Sequence, residues 1–179
     1  MTTDQEVRER VRSYVGHQAA KEPAAIRQLV QRAHDQLLGL IDGLSDDQAS
    51  YKPGPDEWCI LDVLRHVEES KRGIAAIAAA LAQSETPGQT PTELGRIGTI
   101  ESAPFSSLAE ARSALDASHG ELLAFIDTIA SQTNLEASSP HPWFGEHNCK
   151  EWAVFQCLHD RDHAGQIEQI KSAPGFPAA

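Results

Sequence analysis

Apolar residues recur along this chain at helical spacing. Ile26, Leu29, Val30, Ala33, Leu37, Leu40, Ile41 and Leu44 follow one another at intervals of one, three and four. That rhythm gathers side chains on one face of an α-helix. Pro23 stands near its first turn, where a missing N–H costs nothing. A second stripe runs through Val63, His66, Ser70, Gly73, Ile77 and Leu81 and predicts a helix from about Ile60 to Ala82. A third joins Leu108, Ala111, Leu115, Leu122, Phe125, Ile126 and Ile129. The last carries Trp152, Phe155, Ile167 and Ile170 and stops before Pro174. No stretch alternates in the manner of a half-buried strand.

Capping chemistry marks the starts. Cys59 occupies the cap position before Ile60, with Asp62 where a capping-box acid belongs. Ser107 to Glu110 has the spacing of a capping box, and Asn148 to Glu151 caps the last helix. A shorter helix, about Asp4 to Ala20, precedes the others with only Val7, Val11, Tyr14 and Val15 to dock it. The connection 45–58 is broken by Pro53-Gly54-Pro55, and 83–105 is long and rich in Gly, Pro, Ser and Thr. Loops of that length are often functional or mobile. Another loop carries His141-Pro142-Trp143-Phe144-Gly145. Four main helices joined this way predict an all-α chain, a four-helix bundle at 23–173 with an N-terminal helical extension at 1–22.

Composition narrows the functions. With 179 residues the chain is one domain long, with enough apolar content for a core. A formal net charge of −11 argues against nucleic acid as a partner, because phosphate would go unneutralised. No apolar run approaches a membrane span, and Met1 to Glu6 lacks the basic-then-apolar order of a signal peptide. Three cysteines (Cys59, Cys149, Cys157), an odd number without a CxxC pair, fit free thiols in a reducing cytoplasm.

The candidate chemistry lies inside the stripes. His159 and His163 are four apart, so on a helix they point the same way, offset by about 40°. Both share the wheel face of Trp152, Phe155, Ile167 and Ile170, while Arg161 and Glu168 fall opposite. His66 is likewise a histidine in an apolar stripe. A buried imidazole without a partner costs roughly 1–3 kcal/mol, and a divalent metal satisfies several at once. Each histidine alone reads more readily as a hydrogen-bonded core residue. The three together on two core-facing helices predict a metal site with a position left for water or substrate.

Other constellations fit less well. Asp160 follows His159, so the segment is not the HExxH of a zincin. Gln156 stands where a Glu-x-x-His di-iron bundle needs its acid. Gln156 and Gln166 share the histidines' stripe, as ligand contacts or as ordinary core hydrogen bonds. Glu69, one turn past His66, is a candidate acceptor behind a ligand or a general base, against the plainer reading of a solvated side chain. Cys59 is on the His66 face but roughly 10 Å back along the axis, and Cys157 points away from His159; both read as small apolar fillers. His141 and His147 belong to the loop before the last helix; a loop histidine is usually just exposed, and the alternative is that this loop overhangs the site.

The chain resembles the DinB-like family of metal-binding four-helix bundles over about Ile26 to Lys171. The resemblance is carried by Glu57-Trp58-Cys59-Ile60 leading into Val63-Leu64-Arg65-His66-Val67, by His141-Pro142-Trp143-Phe144-Gly145 and Glu151-Trp152, and by His159-Asp160-Arg161-Asp162-His163-Ala164-Gly165-Gln166-Ile167. It implies a divalent metal, nickel or zinc, held by His66, His159 and His163. It implies thiol-dependent S-transferase or maleylpyruvate-isomerase-like chemistry with a small substrate and a low-molecular-weight thiol. Metal-dependent hydrolysis, or a stress protein that binds metal or a small ligand without turnover, are the alternatives. Relatives are often homodimers. Cys59 departs from the family's usual Ser cap, and the helix before Pro23 is an addition to the family pattern.

Overall fold

The computed structural model describes residues 4–85, 103–129 and 133–178. Most of the connection 83–105 lies outside them. Among the described residues six helices and a hairpin follow in order: α1 (Asp4–Ala19), α2 (Pro23–Gly39), α3 (Asp46–Ala49), α4 (Ile60–Ala82), α5 (Leu108–Thr128), β1 (Ser138–His141), β2 (Gly145–Asn148) and α6 (Cys149–Lys171). The bundle is α2, α4, α5 and α6. Helix α4 packs between α5 and α6, and α2 closes the ring against the same two.

The caps largely follow the sequence. The Asn148 side chain accepts from the N–H groups of Lys150 and Glu151, and Glu151 Oε2 accepts from Asn148 N–H at 2.9 Å. At α4, Cys59 N–H donates to Asp62 Oδ2 at 3.0 Å, and Lys52 reaches the same oxygen at 3.1 Å. The box expected at α5 is half made. Ser107 Oγ accepts from Glu110 N–H, but Glu110 Oε2 accepts from Ser106 N–H and Oγ, both at 2.7 Å, one residue earlier.

Three features depart from the expectation. Helix α2 stops at Gly39, and Leu40 to Leu44 continue as turns. The connection after it contains the single-turn α3, capped by Ser45 and Gln48. The loop before α6 is a two-stranded antiparallel hairpin pairing Ser138 with Asn148 and His141 with Gly145. Its strands are too short for an alternating pattern to register. Gly145 closes its turn at φ +80°, a conformation costly for side-chain-bearing residues, and the Arg12 guanidinium lies 3.4 Å from where a Cβ would stand.

Helix α1 docks on its own bundle, against α6. Val15 is fully buried, Val11 and Tyr14 pack against the core, and Arg161 donates to Tyr14 Oη at 3.1 Å. Val7 stays exposed. The thin apolar face of α1 is thus largely spent within the chain.

The apolar interior falls into two clusters. One joins Val15, Ile26, Val30, Ile77, Leu122, Ile126 and Trp152; the other joins Leu37, Ile60, Leu64, Phe105, Leu115 and Ile167. Between them, by position on every helix of the bundle, lies a layer of buried polar groups: His34, Glu68, Lys71, Ser118, His119, Gln156, Asp160 and His163. Among the described residues no helix is long and apolar enough to cross a membrane.

Candidate metal centre

His66 is placed by α4, and His159 and His163 by α6, the helix pair in most extensive contact. The interlocked caps at Cys59–Asp62 and Asn148–Glu151 define where both helices start. The rings converge, with centroids 4.4 Å apart for His159 and His163, 4.7 Å for His66 and His163, and 5.0 Å for His66 and His159. One ligand atom from each falls within 4.8 Å of the other two. His66 Nε2 and His159 Nε2 are 3.2 Å apart. Two imidazole nitrogens bound to one ion at roughly 2.0–2.1 Å, with an angle between 90° and 110°, stand about 2.9–3.4 Å from each other. The pair therefore already has the spacing of two ligands of one metal.

The protonation pattern fits as well. Burial above all, then the neighbouring His163 and His66, holds the His159 imidazole well below its ordinary pKa. It stays neutral, the form that ligates. His163 Nδ1 is 2.8 Å from Gln166 Oε1. An amide oxygen only accepts, so Nδ1 is the donor in this contact and Nε2 is the nitrogen left to face a ligand. His159 Nδ1 is buried without a hydrogen-bond partner. The donor set and its spacing thus suit a divalent metal.

The triad borders a cavity of about 1050 Å3. Trp58, Trp143, Phe144, Trp152 and Phe155 form much of its wall, and Ser70, Gln166 and Gln169 add neutral polar groups. The Trp58 ring centroid is 5.2 Å from that of His66 and 6.5 Å from that of His163. His141, from β1, also lines the cavity, its ring 4.5 Å from Phe155. Burial lowers its pKa to about 4. His147, on β2, is buried behind it against Trp152. Neither is the exposed loop histidine that is the usual case. The hairpin brings His141 to the cavity and buries His147 behind it, against Trp152.

Glu69 is half-buried on α4 and is not among the residues lining the cavity. Its neighbour Glu68 is buried, paired with Arg65 and Arg72. Gln156 is an ordinary satisfied core amide: Nε2 donates to Asp160 Oδ1 at 2.7 Å, and Oε1 accepts from Ser70 Oγ at 3.4 Å. All three cysteines are buried, and burial raises each thiol pKa, that of Cys157 to about 12.

One group was not singled out from the sequence. Lys71 and Asp160 form an ion pair at 3.0 Å, both fully buried, bridging the two helices that carry the triad. The approach to Asp160 Oδ2 is a charge contact, since its angle is not that of a hydrogen bond. Lys71 Nζ also donates to His34 Nδ1 at 3.1 Å, and His34 Nε2–H to Asp116 Oδ1 at 3.0 Å. His34 stacks on His119 at 3.9 Å. The signal was present, because Lys71 is four residues past Val67 and Asp160 seven before Ile167, both in core phase.

Known proteins agree with this architecture. The chain is 26% identical over 143 residues to the Bacillus subtilis (strain 168) protein named "Uncharacterized protein YuaE", covering 73% of this chain and 88% of that one. A solved structure described as "Crystal structure of TT2238, a four-helix bundle protein" superposes with a TM-score of 0.61 at 20% identity, covering 82% of this chain and 98% of the other. That likeness is one of fold. Residues 29–167 match the DinB superfamily, a span that contains all three converging histidines, and the chain belongs to that superfamily.

Proposed function

We propose that this chain is a metal-dependent enzyme that activates an external low-molecular-weight thiol for transfer to a small electrophile. His66, His159 and His163 hold the ion, nickel or zinc, in the bundle at 23–173, with 1–22 as an extension. The observation that carries the reading is the 3.2 Å approach of the Nε2 atoms of His66 and His159, with His163 beside them, at the wall of a large aromatic cavity. A divalent ion held by three imidazoles keeps a coordination position open and lowers the pKa of a thiol or water that takes it.

The chain's own side chains do the rest. Gln166 fixes the His163 tautomer. His159, held neutral by burial, offers a lone pair rather than a proton. Trp58, Phe144 and Phe155 exclude water around the reacting atoms, which strengthens electrostatic interactions there. The thiol must come from outside, because Cys59, Cys149 and Cys157 are buried and hard to ionise. Such buried free thiols also suit a reducing compartment, the cytoplasm.

Metal analysis of the purified protein should give about one divalent ion per chain, and His163→Ala should abolish tight binding. Unchanged stoichiometry in that variant would overturn the ligand assignment. In the cobalt-substituted protein, external thiols should produce thiolate-to-metal charge-transfer absorption, with Cys59→Ser, Cys157→Ser as the control. If small carboxylates or phosphates perturb the spectrum and no thiol does, thiol transfer is wrong. The hydrolase or ligand-binding reading then takes its place.

A further inference from the structure

His141 lines the cavity, and the hairpin fixes which of its ring nitrogens holds the proton. It ends β1, and the turn that follows folds back on the ring. Trp143 N–H and Phe144 N–H both donate to His141 Nδ1, at 3.2 Å and 3.4 Å. A backbone N–H only donates, so Nδ1 keeps its lone pair and the neutral ring carries its proton on Nε2. Protonating Nδ1 would break both contacts, so the turn itself favours the neutral ring. The surroundings act the same way. The rings of Phe155, Phe144 and Trp152 lie 4.5, 4.9 and 5.5 Å from that of His141, and burial brings its pKa to about 4. Among the described residues no acceptor meets Nε2, and Nε2 is not one of the polar atoms sealed from solvent. The open side of this donor is therefore the cavity. The triad is near. Phe155, against which His141 packs, stands four positions before His159 on α6. That is one helical turn, about 6 Å along the axis. A charge on His141 is felt at His159.

We propose that His141 binds the molecule that enters this cavity, donating Nε2–H to an uncharged carbonyl oxygen held about one helical turn from the three histidines. A neutral imidazole polarises a carbonyl without surrendering a proton, whereas an imidazolium would favour a carboxylate. The aromatic rings around His141 exclude water and strengthen the hydrogen bond. A molecule of the same shape without an acceptor leaves the N–H unpaired, and that difference is a source of selectivity. His141 thus acts as a specificity residue. The inference goes beyond thiol activation and needs neither an ion nor a thiol.

A matched pair of probes tests this. Acetophenone and α-methylstyrene share a shape, and the first has a carbonyl oxygen where the second has a methylene. In nitrogen-15-labelled protein, the His141 resonances should show the proton on Nε2. Acetophenone should shift that Nε2–H resonance downfield, and α-methylstyrene should not. Two variants separate binding from a structural role. His141→Asn puts an amide oxygen near the place of Nδ1, so it keeps the turn's acceptor and drops the Nε2 donor. His141→Gln puts an amide N–H near the place of Nε2, so it keeps the donor and drops the turn's acceptor. Helical circular dichroism checks the fold of both. Relative to α-methylstyrene, acetophenone should lose roughly three- to tenfold in affinity in His141→Asn, and should recover in His141→Gln. A proton found on Nδ1 in the parent protein, an unchanged affinity ratio in His141→Asn, or a ratio lost only in His141→Gln overturns the inference. Failure of the cobalt–thiol experiment defeats thiol activation and leaves this inference standing, because no ion or thiol takes part in these titrations.

Discussion

At the scale of residues, two histidine environments do different things. His163 depends on Gln166, whose oxygen accepts its Nδ1 proton and leaves Nε2 for a ligand. Removing such a partner typically lowers metal affinity 10–100-fold. Gln166→Leu should do so while leaving the stoichiometry at saturating metal unchanged, and competition with a chromophoric chelator would measure it. An affinity equal to that of the parent would remove Gln166 from the site. His119 has the opposite role. Burial first, then His34 and Lys71, push its pKa down to about 3. The unfolded chain takes up that proton near pH 6.5, whereas the folded chain resists until about pH 3. Between those limits the unfolded state binds more protons, so stability falls as pH falls, by about 1.4 kcal/mol per pH unit for each such histidine. Melting curves from pH 7 to pH 4 should show this slope, and His119→Phe, which keeps a ring against His34, should flatten it. An unchanged slope would place the titration elsewhere.

At the scale of elements, the register of α4 against α6 decides whether His66 meets the other two ligands. The Lys71–Asp160 pair joins the same two helices beside the triad. A buried pair adds little net stability, but removing one partner strands a charge at a cost of about 3–5 kcal/mol. Lys71→Met and Asp160→Leu should each destabilise by that order in urea. The double variant should recover much of the loss, because neither charge is left alone. Losses that simply add would show that the two residues do not act as a pair. The hairpin has a separate task. With Gly145 in a left-handed turn, it presents His141, Trp143 and Phe144 to the cavity without lengthening any helix.

At the scale of the whole molecule, the bundle is built to stand without an ion at the triad. Two apolar clusters span the helices on either side of the polar layer, and the caps of α4 and α6 are closed by the chain's own side chains. A ligand bound only by the folded state still adds stability by mass action, about 3–4 kcal/mol at a hundred to a thousand times its Kd. Chelation should therefore lower the melting temperature by several degrees and leave the helical circular dichroism intact. Loss of that signal on chelation would make the metal structural.

Hydrophobic spacing alone determined the four long helices and the inward direction of His66, His159 and His163, because a helix's period is local and each side chain's direction follows from it. The same spacing held Lys71, Asp160, His34 and His119 in core phase, but a polar residue on an apolar stripe says nothing of its partner until the facing helix is known. Only the tertiary structure decided that Lys71 meets Asp160, that Glu68 rather than Glu69 is the buried acid, and that His141 reaches the cavity while His147 is buried behind it. The four-residue strands were equally illegible, since two turns of alternation cannot be told from a loop. The cavity wall joins Glu57 and Asp162, residues more than a hundred positions apart. Such non-local contacts follow from how helices pack, and no periodicity along the chain records them.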